Sequence, residues 1–290
     1  MRNAPASSGA LIALLWVAGA ACAEDAAAPP ERVMSLNVCT DQLAMLLAAP
    51  GQLMSVSELA RDPGLSFNSK LAANYPTNKG LAEEVIAAKP DLVVTGQFSL
   101  HNTTLLLRRL GYRTEEFTYT QTVETIPGEL RRMGQLLGAS ERAEAMAQSF
   151  ERDLAAIRDR NCDEPVTAIA YEQNGVASGT GTLIDSAMQA AGVTNLAANM
   201  GFSGMASFPL ELLVKNAPQI IILPDALSDA PSLADQIATH PALASLAGRA
   251  LEIHLPRGST ACGGPFVIEA VKALAVARDK VSQCRRQVGQ

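Results

Sequence analysis

The sequence predicts an α/β fold of two Rossmann-like lobes with parallel-rich sheets, joined by one long backbone helix. Three observations carry that expectation. One uninterrupted helical pattern occupies residues 140–160, the middle of the chain. Short apolar strands alternate with helices on both sides of it, which implies parallel pairing and right-handed crossovers. A helix–proline–strand unit at 81–94 lies over a second one at 209–222, with Glu83 over Glu211 and Pro90 over Pro218.

In the central helix Ala143, Met146, Ala147, Phe150, Leu154 and Ile157 recur at steps of three and four and make one apolar face. Ser140, just after the helix-stopping Gly138, is placed to cap it. Asn161, Cys162 and Pro165 end the run. At 1.5 Å per residue the helix spans roughly 30 Å, about the width of a small domain, so it can serve as a strut between lobes.

The chain has 290 residues, 48% of them hydrophobic, enough for one large or two ordinary cores. A net charge of −6 and a pI near 5.2 give no basic surface for nucleic acid. Arg2 followed by the apolar run 10–21 and small residues reads as a signal peptide, 1–23. Acylation of Cys22 is the alternative, opposed by Gly19, where lipoprotein signals carry a larger apolar residue. The expected domains are the leader, an N-terminal lobe at 31–139, the connecting helix at 140–160 and a C-terminal lobe at 161–290.

Export leaves Cys39, Cys162, Cys262 and Cys284 in an oxidising compartment, with three possible pairings. Cys162 opens the second half and Cys284 falls in the expected last helix, which favours that pair as a structural clip. Cys39 and Cys262 then bond across the lobes, line a site as thiols, or pair with the other two. There is no CxxC, and the three histidines are scattered, so no metal site or cofactor is expected.

In order, strands are expected at 32–36, 53–56, 92–95 and 113–117, and helices at 42–48, 81–88, up to Leu110, and at 127–137. Thr40 or Asp41 would cap the helix at 42–48, after a polar turn at 37–41. Residues 57–80 have no clear period, and a loop of that length is often functional. The second half repeats the plan. Strands are expected at 166–171, 219–223 and 251–255, and helices at 183–191, 209–216, 233–238, from Pro241, and at 266–284. Glycine-rich loops fill 173–182 and 199–207.

Catalytic signatures are missing: there is no GxSxG, HExxH, GxxxxGK[ST] or GxGxxG after a strand. His101, His240 and His254 lie in different elements, away from carboxylates. An enzyme is therefore not expected; the alternatives are a secreted enzyme using the interlobe cleft with Cys39 or Cys262 as nucleophile, and a sensory binding module without transport. Ligand binding is better supported, because open α/β sheets bind ligands beyond the C-terminal ends of their strands. The loops so placed carry Asn37, Cys39, Thr40, Arg61, Phe67, Tyr75, Phe98, Tyr171, Phe202, Arg257 and Cys262. Aromatic and arginine side chains suit a large, flat or anionic ligand.

The opening Arg32-Val33-Met34-Ser35-Leu36-Asn37 followed by Thr40-Asp41-Gln42-Leu43 resembles the start of class III periplasmic substrate-binding proteins. The stretches Lys89-Pro90-Asp91-Leu92-Val93 and Gly192-Val193-Thr194-Asn195-Leu196 resemble two further motifs of that family, in the same order. The resemblance implies a monomer of two lobes on a helix, holding a metal chelate (a ferric siderophore-type complex or cobalamin) for an ABC importer. It also implies that one surface glutamate per lobe docks on the permease, at Glu83 and Glu211. Vitamin B12-binding members use several cleft Trp and Tyr, whereas the only Trp here, Trp16, lies in the leader.

Overall fold

A computed structural model describes residues 28–162, 165–223, 249–282 and 284–286. The expected leader, and the helices expected at 233–238 and from Pro241, lie outside the described residues.

The first sheet contains β1 (Val33–Ser35), β2 (Leu53–Ser57), β3 (Thr77–Asn78), β4 (Leu92–Gly96) and β5 (Thr114–Phe117). It is parallel throughout, in the order β3-β2-β1-β4-β5. The central strands are apolar because helices cover both faces: Val33 and Met34 of β1 and Leu92, Val93 and Val94 of β4 are all buried. Helices α1 (Val38–Leu47), α2 (Ser69–Ala72), α3 (Ala82–Ala88), α4 (His101–Arg109) and α5 (Ile126–Leu137) provide the connections. Helix α1 starts earlier than expected. Asn37 is its N-cap, with its side-chain oxygen accepting from the Cys39 N–H at 2.9 Å, so the polar stretch 37–41 is the first turn rather than a loop.

Helix α6 (Ser140–Arg158) is the predicted connector. Its cap differs from expectation: Ala139 holds the N-cap position and makes no side-chain cap bond, while Ser140 is already helical. Ala143, Ala147, Phe150 and Leu154 are buried, and Ala143 comes so close to Gly134 of α5 that a Cβ there would lie 2.3 Å away. Arg142 reaches the carbonyls of Leu47 and Ala48, two of the acceptors that the end of α1 leaves unpaired. After α6 the chain forms β6 (Arg160–Cys162).

The second sheet has a parallel core of β7 (Val166–Glu172), β9 (Val193–Asn195), β11 (Ile220–Ile222) and β12 (Leu251–Ile253), with β9 and β11 flanking β7 and β12 beyond β11. Two stretches read as loops in the sequence are strands instead. These are β8 (Val176–Ser178) and β10 (Met205–Ser207), which pair antiparallel off the end of β7. Helices α7 (Leu183–Ala190), α8 (Leu196–Asn199), α9 (Leu210–Asn216) and a last helix, Val267–Val281, cover this sheet. The last helix stops short of Cys284, which lies in β13 (Cys284–Arg286), antiparallel to β6.

The repeated unit is real at the level of backbone geometry. Helices α3 and α9 both end on a non-glycine residue in the left-handed region, Lys89 at φ 49° and Ala217 at φ 37°. Each donates its N–H back into its helix, to Val85 or Leu213, and each precedes the proline that leads into a buried strand. One continuous core joins the lobes: Leu130 and Met133 of α5, Phe150 of α6, Leu183 of α7 and Val271 of the last helix belong to it.

Candidate functional site

The C-terminal ends of both parallel sheets face the seam between the lobes, where ligands of open α/β sheets bind. On the N-terminal side lies a pocket of about 280 Å³. Its wall is built from Asn37, Cys39 and Thr40 after β1, the turn after β4, Phe117 at the end of β5, and Thr118, Tyr119 and Thr120 after it. Glu129 of α5 and Gly263 of the opposite lobe complete it. On the C-terminal side a second pocket of about 230 Å³ is lined by Glu172, Leu223, Arg257 and Thr260, with Gly64 from the first lobe.

Local bonds fix the first wall. Asn37 caps α1 with its oxygen and donates its amide to Ser99 Oγ at 3.0 Å, tying the β1 and β4 loops together. The Arg132 guanidinium stands over the Phe117 ring at 4.3 Å and donates to the Glu116 carbonyl at 2.9 Å. Glu129 accepts from the Thr118 hydroxyl through one oxygen; the other is buried, makes no hydrogen bond, and lies 4.0 Å from Arg132. Phe98 and Tyr119 stand open at the mouth, 84% and 48% exposed. Such a wall combines flat apolar faces with a few fixed polar groups, the composition expected of a small-molecule site.

Asp41 lies behind this wall and is fully buried. Its Oδ2 accepts from the Ser57 N–H and hydroxyl, which fastens α1 to the end of β2. Burial pushes its carboxyl up to about 7, outweighing the hydrogen bonds from Ser35 and Ser57 that pull the other way. A position in the first turn of α1 also favours the anion, yet desolvation wins. In the second pocket burial likewise raises the Glu172 carboxyl.

Cys39 and Cys262 are disulfide-bonded, with their Cα atoms 5.2 Å apart. Of the alternatives left open by the sequence, this is the bond across the lobes, and it leaves neither sulfur as a nucleophile. Around it the seam is tight. Phe67 stacks on Phe266 with centroids 5.4 Å apart, Gly258 lies on the Ser66–Phe67 backbone, and Gly263 touches Thr120. The Val123 N–H donates to Ser186 Oγ across the same boundary at 3.0 Å.

The residues singled out in the sequence therefore divide. Asn37, Cys39, Thr40 and Phe98 line the first pocket, Arg257 the second, and Phe67 and Cys262 the seam. Arg61 donates to the Tyr75 carbonyl at 2.7 Å, and Tyr75 packs on the core. Tyr171 and Phe202 line neither pocket. Tyr171 is buried, donates to the Phe208 carbonyl and meets the Phe208 ring edge-on, while Phe202 packs on Phe208 with ring centroids 5.0 Å apart. The residues at 117–120 and Glu129 were missed, although the rule that selected the other loops, position just after a parallel strand, also selects 118–120.

The fold and site have counterparts. The family model of the periplasmic binding protein matches residues 33–251. A cobalamin-binding protein of Halobacterium salinarum is 26% identical over 200 residues, 67% of this chain and 53% of that protein. The chain thus spans about half the length of the curated relatives it matches. The apo periplasmic heme-binding protein RhuT of Roseiflexus sp. RS-1 superposes with a TM-score of 0.71 at 21% identity, over 87% of this chain and 98% of that one. The vitamin B12-binding protein BtuF of Vibrio cholerae gives 0.65 at 17% identity, over 87% and 98%. At those identities the two structures attest to the fold alone. The match over most of the chain, on two parallel-rich lobes that face each other across a lined seam, makes this chain a member of the periplasmic binding protein family.

Proposed function

We propose that the protein is an exported carrier that holds a metal chelate between its lobes and delivers it to an ABC importer. The observation that supports this most is the aromatic-lined pocket at the strand ends, roofed by the opposite lobe, in a chain of this family. Corrinoid and tetrapyrrole ligands are the first to offer, since relatives carry the names cobalamin-binding and heme-binding; ferric siderophore-type complexes follow. The test is the visible spectrum of the natively purified protein, followed by titration with cobalamin, haem and ferric chelates. Saturable binding of one of them is expected, with a band that co-elutes with the protein. Failure of all three ends the metal-chelate reading.

Glu83 and Glu211 are the proposed contacts with the permease. Both are exposed in the first turn of corresponding helices, α3 and α9, so each lobe presents one carboxylate for charge-assisted bonds to arginine. Changing both to Gln is expected to lower uptake at least tenfold in a transport assay while leaving chelate affinity within twofold. Unchanged uptake would remove them from the docking surface.

The clip between Cys162 and Cys284 stays a proposal. The β6–β13 register sets these two residues directly opposite each other. Opposed residues of antiparallel strands have Cα atoms about 4.5–5.5 Å apart, inside the disulfide range.

A further inference from the structure

We propose that the Cys39–Cys262 disulfide is a reducible clasp, opened by a dithiol that enters through the N-terminal pocket, and that its opening releases the 256–264 loop from α1. Four observations carry this. The bond ties the first turn of α1 to the loop between β12 and the last helix, across 223 residues of sequence. That loop contributes to both pockets: Gly263 faces the first, Arg257 and Thr260 the second. Access to the sulfurs is one-sided, because Cys39 is half-buried and lines the pocket while Cys262 is 1% exposed. The Ser66 and Ser259 hydroxyls flank the Gly258 contact from its two sides, both buried without a hydrogen bond, and the amides of Gln42 and Asn68 nearby are also unpaired. Such groups favour a hydrated, released loop.

The exchange follows from this geometry. A thiolate of the dithiol attacks Cys39 Sγ, and the electron pair of the broken bond leaves on Cys262 Sγ, which takes up a proton. The second thiol of the reagent then attacks its own sulfur in the mixed disulfide and expels the Cys39 thiolate. As the second residue of a ten-residue helix, Cys39 is stabilised as a thiolate by the helix N-terminus. The products are two protein thiols and one oxidised reagent. Cys262 is the one residue of 256–264 among the buried members of the core shared by α5, α6, α7 and the last helix, so the change is local. With the bond intact, pockets of about 280 and 230 Å³ fall below the usual range for a ligand site, roughly 300–1,000 Å³, and admit only an edge of a large chelate. The link to ligand entry rests on the proposed function; the clasp itself does not.

The test compares the oxidised full chain with the same protein in dithiothreitol, by alkylation with peptide mass mapping and by amide hydrogen exchange. Expected is alkylation at both Cys39 and Cys262 and at least tenfold faster exchange at 257–264, with β4 and β11 unchanged and the effect reversed on reoxidation. The C39S/C262S double variant is expected to reproduce the fast loop without reductant. Reduction without faster loop exchange overturns the clasp. So does a bond that resists dithiothreitol, or faster exchange that spreads to β4 and β11. Cyanocobalamin and haemin are then added before the reductant, and a chelate that binds is expected to slow alkylation of Cys39 at least fivefold. Binding with no such protection overturns the route through the pocket. If neither binds in either redox state while the loop still releases, the chelate reading fails and the clasp stands.

Discussion

Gly258→Val is expected to destabilise the protein by about 3–5 kcal/mol. Two independent costs meet there. Gly258 has φ +69°, a conformation that a β-branched residue adopts only with strain of about 1–3 kcal/mol. A Cβ at this position would also lie 2.5 Å from the Phe67 nitrogen and the Ser66 carbonyl carbon, backbone atoms that cannot turn aside. The loop must lift, and the Phe67–Phe266 stack goes with it. Against a usual net stability of about 5–15 kcal/mol this is a large fraction, readable in a urea titration. A loss below about 1 kcal/mol would mean that the seam closes in another way.

The second large effect depends on pH. Asp41 titrates near 3.8 in the unfolded chain and is held up to about 7 in the fold by burial. Between those values the native state keeps a proton that the unfolded state has released. Stability therefore falls as pH rises from about 4 to about 7, and this contribution is level above that. The full fall is at most about 4 kcal/mol. Asp41→Asn removes the titration while its carbonyl can still accept from Ser57, so the variant's pH profile is expected to flatten over this window. Denaturant midpoints at pH 5 and pH 8 decide it. Parallel profiles for parent and variant would assign the pH dependence to other groups.

How much of this was legible in the sequence depends on what fixes each part. The connector α6 and the central strands were readable because burial on a helix face, or on both faces of a sheet, writes itself as periodicity or as an apolar run. The start of α1 was not. Its first turn is polar because Asn37 caps and Asp41 bonds to Ser57, so it looks like a loop until those partners are known. Strands β8 and β10 are three residues each, inside glycine-rich stretches, and become strands only by pairing, β8 with the end of β7 and β10 with β8. Tyr171 and Phe202 read as cleft aromatics, but Phe208 gives them a core of their own. Likewise, the four cysteines beyond the expected leader allow three pairings, and only tertiary proximity selects Cys39 with Cys262.

The left-handed turns at Lys89 and Ala217 make each lobe a reference for the other. The same backbone cost, in front of the same proline, is borne in two different surroundings. In the first, Arg32 bonds the carbonyls of Ala88 and Lys89, and Asp91 accepts from the backbone of Glu31 and Arg32. In the second, Asn216 donates to Leu212 and Gln219 takes the Thr167 N–H. A matched pair of substitutions at the two turns cancels what is local and leaves what the neighbours contribute, so the molecule carries its own internal control.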